Sequence, residues 1–430
     1  MSFLSFPRTF DQGLVWLASV AAGVVLFIAP FRASAGIRGT LLVFASLTVV
    51  ILYWRTRQLK TLLPPDRFLG FAVALWILAA SAWSFMGPSP ALSLNVVKRD
   101  ILYPMLAAVV FFALTRTRAD LLRWVCVMVA GLVILTVMVV REPFLPLALS
   151  QEPAYVSVGW LTTWLVTLSP SLAVLLFLPR RERRRAIAWT VLLVVAMVCV
   201  LLSAWLSGNR TVWVCFAAMA ATGAAFEFRN LETAGERRRM IAIAAVLLVA
   251  IGILMADSMR YRAEASAPKG RNPIAFALQD NRVPIWREAF AMIRERPLQG
   301  YGYANPEIGD AFSERFADPW ARRVFRHAHN VVLNRALQMG VTGGVAILAL
   351  FAALGAAFLR RAQSRQLARL TGVCGITLVV GVLLRNSTDD FFSRHGVLFF
   401  GAVAGMLLGV GTRRPPLSGT RNRRLPPPGG

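Results

Sequence analysis

Long runs of apolar residues recur along almost the whole chain, and they limit the fold more than any other feature. Each run is roughly 17–21 residues long, which is the length that an α-helix needs to cross the hydrocarbon core of a bilayer. The chain of 430 residues is 57% hydrophobic and 16% charged, with a mean hydropathy of +0.60. Soluble domains are less apolar than this. The sequence therefore predicts an all-α integral membrane protein.

About twelve membrane-spanning helices can be placed, of which the fourth and the eighth are short, so the count could change by one or two. They lie near residues 13–30, 39–54, 68–87, 100–115, 120–140, 158–178, 186–206, 211–227, 240–256, 340–359, 368–386 and 392–411. Membrane lipids are accordingly expected as the surroundings of the helices.

Basic residues alternate between the two sides of this predicted bundle. Arginine-rich connections occur near residues 55–67, 116–123, 180–185, 237–239 and 360–369. Loops between them are poor in basic residues, with one exception described below. Because basic loops stay on the cytoplasmic side, both termini are predicted to be cytoplasmic.

The formal net charge of +26 would ordinarily point to nucleic acid. Here the basic residues lie at the ends of apolar runs instead of clustering on one domain, so no nucleic-acid partner is expected. The four cysteines lie inside apolar stretches without the spacing of a metal site or a disulfide framework, which makes them small buried residues.

One long polar segment divides the chain. The sequence predicts a bundle of about nine helices over residues 1–256, a large, mostly helical external loop over 257–339, three further helices over 340–411 and a disordered cytoplasmic tail over 412–430. The external loop is basic, although long loops can cross the membrane regardless of charge. Its charge fits either a solvated surface or a site for an anion such as a diphosphate.

Histidine is the natural general base near neutral pH, and all three histidines lie on the side of this loop. His327 and His329 are followed by Asn330, which is predicted to cap a short amphipathic helix ending at Gly340. Such a helix would hold His329 at the membrane boundary. The alternative for a histidine in a polar loop is a solvated or hydrogen-bonded side chain without a chemical role.

Two arginines are notable for their settings. Arg210 is the one basic residue in a very short external turn between two spans, where it could also be a flanking residue that reaches the membrane surface. Arg287 follows Trp286 on a predicted helix with an apolar face, and Gly300, Tyr301 and Gly302 then form a turn where the backbone comes close to another group.

Together these features resemble the O-antigen ligase family, within the larger group of membrane ligases and polymerases acting on polyprenyl-linked glycans. The resemblance covers the spans, the large late loop, the Arg210 turn, the Trp286-to-Gly302 segment, and His329-Asn330 leading to Gly340 and Gly343. It implies a GT-C-like glycosyltransferase architecture in the bacterial inner membrane, with the active site on the periplasmic face.

The family resemblance also implies an activity and its residues. The expected reaction transfers O-antigen from undecaprenyl diphosphate to lipid A-core, by inversion and without cofactor, ATP or metal. His329 is implied as the general base, and Arg210 and Arg287 as ligands of the diphosphate. The expected substrate-binding residues are His327, Asn330, Trp286, Gly300, Tyr301, Gly302 and Arg385.

Other functions stay open at this point. An O-antigen polymerase is the nearest alternative, although polymerases are expected to have more than one sizeable external loop. Protein O-oligosaccharyltransferase and a non-enzymatic flippase for polyprenyl-linked glycans are the others. Asp389 and Asp390, which lie near Arg385 and Arg394, are interpreted as ion-pair partners of nearby arginines, with a catalytic role as the lesser alternative.

Overall fold

The computed structural model describes residues 9–31, 34–62, 66–86, 89–141, 157–176, 183–228, 233–266, 282–305, 307–364 and 366–412. These residues form sixteen α-helices in chain order: α1 Phe10–Ile28, α2 Ala35–Arg55, α3 Arg67–Met86, α4 Pro90–Val97, α5 Tyr103–Leu114, α6 Arg118–Arg141, α7 Val158–Leu176, α8 Arg183–Leu206, α9 Arg210–Phe228, α10 Ala234–Ser266, α11 Arg282–Glu295, α12 Glu307–Ser313, α13 Pro319–Val324, α14 Val331–Ala362, α15 Gln366–Ser387 and α16 Arg394–Gly409.

Every predicted span coincides with a helix, and the described chain contains ten helices long and apolar enough to cross a membrane. The protein is therefore a multi-pass membrane protein. The segments predicted near 100–115 and 392–411 form the shorter helices α5 and α16. A π-helical turn at Lys98–Leu102 joins α4 to α5, a feature that the sequence analysis did not predict.

The two short helices α5 and α16 pack tightly against each other because glycines repeat every fourth residue along α16. A Cβ atom at Gly401, Gly405 or Gly409 would collide with the backbone carbonyl of Pro104, Ala108 or Phe112, respectively. Small residues at this spacing let two membrane helices approach closely. The pair α5–α16 is thus a rigid element near the middle of the bundle.

The helix α14 connects several parts of the bundle, since it packs against α3 and α15, while α15 in turn packs against α7 and α9. The loop segment 282–330 lies at one end of the bundle, which we call the loop end. Trp83 near the end of α3 contacts this segment through a hydrogen bond from Nε1 to the carbonyl of Gln299 (2.6 Å).

A second, smaller hydrophobic core lies at the loop end. It joins α11, α12 and α13 to the first turns of α14, through Ile285, Met292, Phe312, Phe325 and Leu337. The described part of the predicted loop 257–339 is therefore largely helical. The predicted boundary at residue 256 falls inside α10, and residues 267–281 and the predicted tail after Thr412 lie outside the described residues.

The helix α14 bends at the position where the sequence predicts the end of a short helix. Gly340 has φ +64°, and the amide of Val341 donates to the carbonyl of Pro297 (2.7 Å). A Cβ atom at Gly340 would meet this same carbonyl, and one at Gly300 would meet the backbone of Gln338 and Gly340. Only glycine combines a positive φ with the absence of a Cβ atom, and both positions require this combination. The bend fixes the angle between the membrane part of α14 and its first turns.

Candidate active site

His329 occupies a turn that its neighbours hold in place. Its backbone has φ +48°, a left-handed conformation that few residues other than glycine adopt. Asn330 follows as the N-cap of α14, its Oδ1 accepting from the amides of Val332 (2.9 Å) and Leu333 (3.1 Å), as predicted. Its Nδ2 donates to the carbonyl of Ser387 (2.9 Å). The turn is thereby tied to the end of α15.

Asp389, after α15, is the partner of His329. The distance from His329 Nδ1 to Asp389 Oδ1 is 3.0 Å. The expectation that an arginine would pair with Asp389 therefore needs correction, since its side chain bonds to the imidazole. Because an ionised carboxylate can only accept, Nδ1 donates to it, and in the neutral imidazole the lone pair is then on Nε2. The Nε2 atom is buried without a hydrogen-bond partner.

Positive charges around Asp389 and the hydrogen bonds that join Asp390 to Asn334 and Asn334 to Ala328 strengthen this arrangement. Burial alone would raise the pKa of Asp389, but the hydrogen bond from His329 and the nearby positive charges, including Arg385, outweigh it and lower this pKa. Asp390 accepts from the amide of Asn334 (2.8 Å). Asn334 in turn accepts from the backbone amide of Ala328 (2.7 Å), next to His329. The acidic turn and the histidine turn are therefore fixed to each other.

His327 lies directly against His329, with ring centroids 3.9 Å apart. Its Nδ1 accepts from the backbone amide of His329 (3.2 Å). Burial lowers the pKa of His327, and the charge of His329 lowers it further. The pKa of His327 is therefore lowered by its surroundings, which favours its neutral form in the turn.

The helix α9 approaches the acidic turn through its first residues. Arg210 begins α9, and the adjacent Thr211 lies 3.4 Å from Thr388, between the hydroxyl oxygens. From α11, Arg282 donates through Nε to the carbonyl of Thr388 (2.8 Å). Arg282 therefore contacts the residue next to Asp389. The sequence pattern singled out Arg287 and not Arg282.

Arg287 lies on the surface of α11. Its side chain is 79% exposed and forms an ion pair with its neighbour Glu288 (Nε to Oε1, 3.6 Å). Trp286 is partly buried against the small hydrophobic core of the loop end. The structure therefore brings the first turn of α9, which begins at Arg210, to Thr388 beside Asp389, and leaves Arg287 exposed on α11.

The other predicted substrate-binding residues contact protein groups. Arg385 is buried and donates to the hydroxyl of Thr162 (3.1 Å) and the carbonyl of Gly159 (3.3 Å), which holds α15 to α7. The amides of Tyr301 and Gly302 donate to carbonyls of α14 just before its bend. The close backbone approach predicted for the Gly300–Gly302 turn is present, and the neighbouring element is α14.

A cavity of about 270 Å³ opens on the other side of His327. Four arginines and two carboxylates line it, and we call it the arginine cavity: Arg99, Arg326, Arg335, Arg394, Asp100 and Asp390. Arg335 is 3% exposed, and its Nε is buried without a hydrogen-bond partner. The Nε of Arg99 and the hydroxyl of the fully buried Tyr303 are likewise without partners. Unsatisfied buried donors of this kind are suited to an anion.

Sequence reasoning missed the arginine cavity although a signal was present. Lys98 and Arg99 precede the fourth predicted span on a side where the other short loops carry few basic residues. Basic residues in a short external loop depart from the orientation rule and mark a function other than orientation. The π-helical turn that contains them is also a structure often associated with functional sites.

The residues of the histidine turn are also those best placed to hold a metal ion. His327, His329 and Asp389 each offer a ligand atom within 4.8 Å of the others. Three protein ligands of this type resemble a catalytic zinc set. In the observed arrangement, however, the Asp389 carboxylate already bonds to His329 Nδ1, so a metal would have to displace this hydrogen bond.

Residues 195–348 match the family model described as O-Antigen ligase. Over this segment the chain is similar to O-antigen ligases, and the family resemblance seen in the sequence is confirmed to that extent. None of the curated proteins with which the chain was compared matches it.

The matched segment includes one half of the site only. It contains Arg210, Arg287 and the histidine turn, whereas Asp389 and the arginines Arg99 and Arg394 lie outside it. The acidic partner of the histidine therefore comes from the part of the chain that follows the matched residues.

Proposed function

We propose that the protein is an O-antigen ligase of the bacterial inner membrane. It transfers O-antigen polysaccharide from undecaprenyl diphosphate to lipid A-core on the periplasmic face, with its spans and loop end forming a GT-C-like architecture. The observation that supports this most strongly is the Asp389–His329 pair, which leaves the buried Nε2 atom of His329 as an available base.

The proposed chemistry is a single displacement at the anomeric carbon. His329 Nε2 takes the proton of the attacking sugar hydroxyl, a new glycosidic bond forms, and the bond from the anomeric carbon to the diphosphate oxygen breaks. The diphosphate leaves with the electron pair, and the configuration at the anomeric carbon inverts. Asp389 holds the imidazole in the tautomer that this step requires.

Arginines stabilise the charge that develops on the diphosphate, which makes ATP and a metal ion unnecessary in this proposal. Two sets of arginines are available for this. One consists of Arg210 and Arg282, with Arg287 on the exposed surface of α11, and the other consists of the arginines of the arginine cavity. In this proposal the first set binds the diphosphate of the donor.

A gene deletion tests the proposed function. Lipopolysaccharide from the deletion strain should lack O-antigen on its core, while carrier-linked polymer accumulates. A core that bears one repeat unit would instead identify an O-antigen polymerase. Normal lipopolysaccharide with under-modified secreted protein would identify a protein O-oligosaccharyltransferase. Complementation with Arg210→Ala, Arg287→Ala and His329→Ala then tests the residues, and wild-type ladders from all three would contradict the mechanism.

A further inference from the structure

The arginine cavity carries one positive charge that no carboxylate of its lining balances. Of its four arginines, Arg326 forms an ion pair with Asp310, which does not line the cavity. The other three arginines face the two carboxylates of the cavity. A buried charge without a counter-ion is costly, so this surplus favours an anion that enters from outside.

Arg335 is held in place from several sides. Its Nη1 and Nη2 atoms donate to the side chain of Gln338 and to the carbonyl of Phe392, both at 2.9 Å. Its guanidinium group lies over the rings of Trp76 and Tyr303, 5.8 Å and 5.6 Å from their centroids. Among the described residues no carboxylate accepts a hydrogen bond from Arg335, and its Nε has no partner. Arg335 therefore offers an anion a donor in a fixed position, which loses little side-chain entropy on binding.

Arg99 supplies a second donor of the same kind. Its Nε is buried and has no partner among the described residues. It lies in the π-helical turn Lys98–Leu102, where the next residue, Asp100, accepts from the amide of Arg394 (2.8 Å). This hydrogen bond ties the turn to the first residue of α16. The fold thus brings two arginines with unsatisfied donors to one cavity from distant parts of the chain.

The cavity is larger than a single oxyanion requires. Its volume of about 270 Å³ is several times the roughly 30 Å³ that one water molecule takes up in the liquid. Ile308, Phe312 and Leu337 give part of its lining an apolar surface, against which the face of a sugar ring can pack. The cavity can therefore hold an oxyanion together with the sugar residue that carries it.

The position of the cavity favours the acceptor. His327 lines it, and the ring centroids of His327 and His329 are 3.9 Å apart. The described residues of α9 and α11, whose arginines bind the diphosphate in the proposed function, contribute nothing to its lining. In a displacement with inversion, the attacking hydroxyl and the leaving diphosphate lie on opposite faces of the anomeric carbon. A cavity beside the base and apart from the diphosphate arginines is therefore on the side of the attacking sugar.

We infer that the arginine cavity holds a phosphate or carboxylate group of the acceptor saccharide and thereby selects an anionic acceptor. The inference rests on the proposed function and deepens it, since it names the chemical class of the acceptor. A saccharide without this group would leave the donors of Arg335 and Arg99 unsatisfied. Sites built around such donors discriminate strongly against ligands that lack the matching group.

The substitution Arg99→Gln tests the inference, because it removes the charge and keeps much of the length of the side chain. Lys98→Gln is the matched control. Lys98 is the adjacent residue in the same π-helical turn, is exposed and does not line the cavity. Both substitutions remove one positive charge from this turn, so a difference between them reports on the cavity and not on the overall charge of the loop end.

Three forms of one acceptor identify the bound group. Lipid A-core from the deletion strain is used untreated, after removal of its phosphates with hydrogen fluoride, and after reduction of its carboxylates to alcohols. With the untreated acceptor, Arg99→Gln should raise the Michaelis constant for the acceptor about tenfold or more and leave that for the donor within about twofold, whereas Lys98→Gln should change neither.

The treated acceptors complete the comparison. At least one treatment should raise the wild-type Michaelis constant for the acceptor by a similar factor, and Arg99→Gln should then have little further effect. The treatment that does so shows whether the bound group is a phosphate or a carboxylate. The inference would be overturned if neither treatment changes the wild-type constant, if Arg99→Gln raises the constant for the donor instead, or if Lys98→Gln and Arg99→Gln have the same effect.

Binding of the acceptor alone provides a second measurement that does not depend on transfer. Untreated lipid A-core should raise the thermal midpoint of the wild type and of Lys98→Gln in detergent, and raise that of Arg99→Gln less. The treated acceptor that lacks the bound group should raise all three equally. If this pattern appears but no glycan is transferred, the proposed function fails and the anion site stands. If glycan is transferred without a selective effect of Arg99→Gln, the proposed function stands and the anion site fails.

Discussion

Two cationic regions flank the histidine turn, and they differ in how their arginines are held. In the arginine cavity, Arg335 is almost completely buried over Trp76 and Tyr303, with its Nε unsatisfied. On the opposite side, Arg282 donates to a backbone carbonyl and Arg287 is largely exposed. A buried guanidinium interacts with an anion much more strongly than an exposed one, because water and salt screen it less.

The number of basic residues in a loop is therefore a poor guide to a binding site. The polar segment beyond residue 257 has many arginines, yet some of those described form surface ion pairs, as Arg315 does with Glu295 and Arg287 with Glu288. The arginine cavity instead combines arginines from three distant parts of the chain. The following substitutions test this difference between the two regions.

The largest effect is expected at the residue between the two regions. His329→Ala should lower the turnover of transfer by about 10²–10⁴-fold, because the attacking hydroxyl loses the Nε2 atom that takes its proton. The measurement is single-turnover transfer with saturating substrates. His395→Asn is the matched control, since the amide can replace Nδ1 as the acceptor from Arg38 (2.7 Å in the wild type). Near-normal turnover of His329→Ala would refute the assignment of the base.

Asp389→Asn should have the next largest effect, with turnover reduced about a hundredfold and the Michaelis constants little changed. An asparagine can turn its amide toward Nδ1 and thereby favour the tautomer in which Nε2 carries the proton. Asp389→Glu, which keeps the carboxylate, should recover part of the rate. If Asn and Glu are equally active, Asp389 supports only the local structure.

The two regions are compared directly by Arg99→Ala and Arg287→Ala. Losing a hydrogen bond from a charged group costs about 1.5–3 kcal/mol, so Arg99→Ala should raise the Michaelis constant for the substrate that binds in the arginine cavity about ten- to hundredfold. Arg287→Ala should change the Michaelis constants less, because its side chain is exposed. Initial rates with each substrate varied in turn check this. A larger effect of Arg287→Ala than of Arg99→Ala would contradict the difference between the two regions.

The smallest effect concerns the pH dependence of stability. Burial holds the pKa of His327 below its ordinary value of 6.5 in the folded protein. Above pH 6.5 the imidazole is neutral in both the folded and the unfolded protein, so it adds no pH dependence. As the pH falls below 6.5, the unfolded chain takes up the proton first, and the folded state loses stability. His327→Gln should remove this loss.

The check is the thermal midpoint in detergent from about pH 7.5 to about pH 5.5. The wild-type midpoint should fall more steeply than that of His327→Gln, so that their difference changes with pH. Parallel curves would show that His327 is not held neutral by its surroundings.

The sequence predicted the helices well because the bilayer makes the requirement for apolar length severe. The bend at Gly340 and the cap at Asn330 were also predictable, since each depends on a local residue type. The pairing of His329 with Asp389 was not, because it joins residues separated by 60 positions and no periodicity reports such a contact. Arg335 was missed because it lies within a helical pattern, where its burial depends on residues far away in the chain, Trp76 of α3 and Tyr303.

The most direct test of the central claim is the anomeric configuration of the product made by the purified protein. The enzyme is reconstituted in vesicles with undecaprenyl-diphosphate-linked O-antigen and lipid A-core in the presence of a metal chelator, and the new glycosidic bond is examined by nuclear magnetic resonance. We predict transfer with an inverted configuration at the anomeric carbon. A retained configuration, or transfer that stops when the chelator is added, would contradict the account of a single metal-independent displacement with His329 as the base.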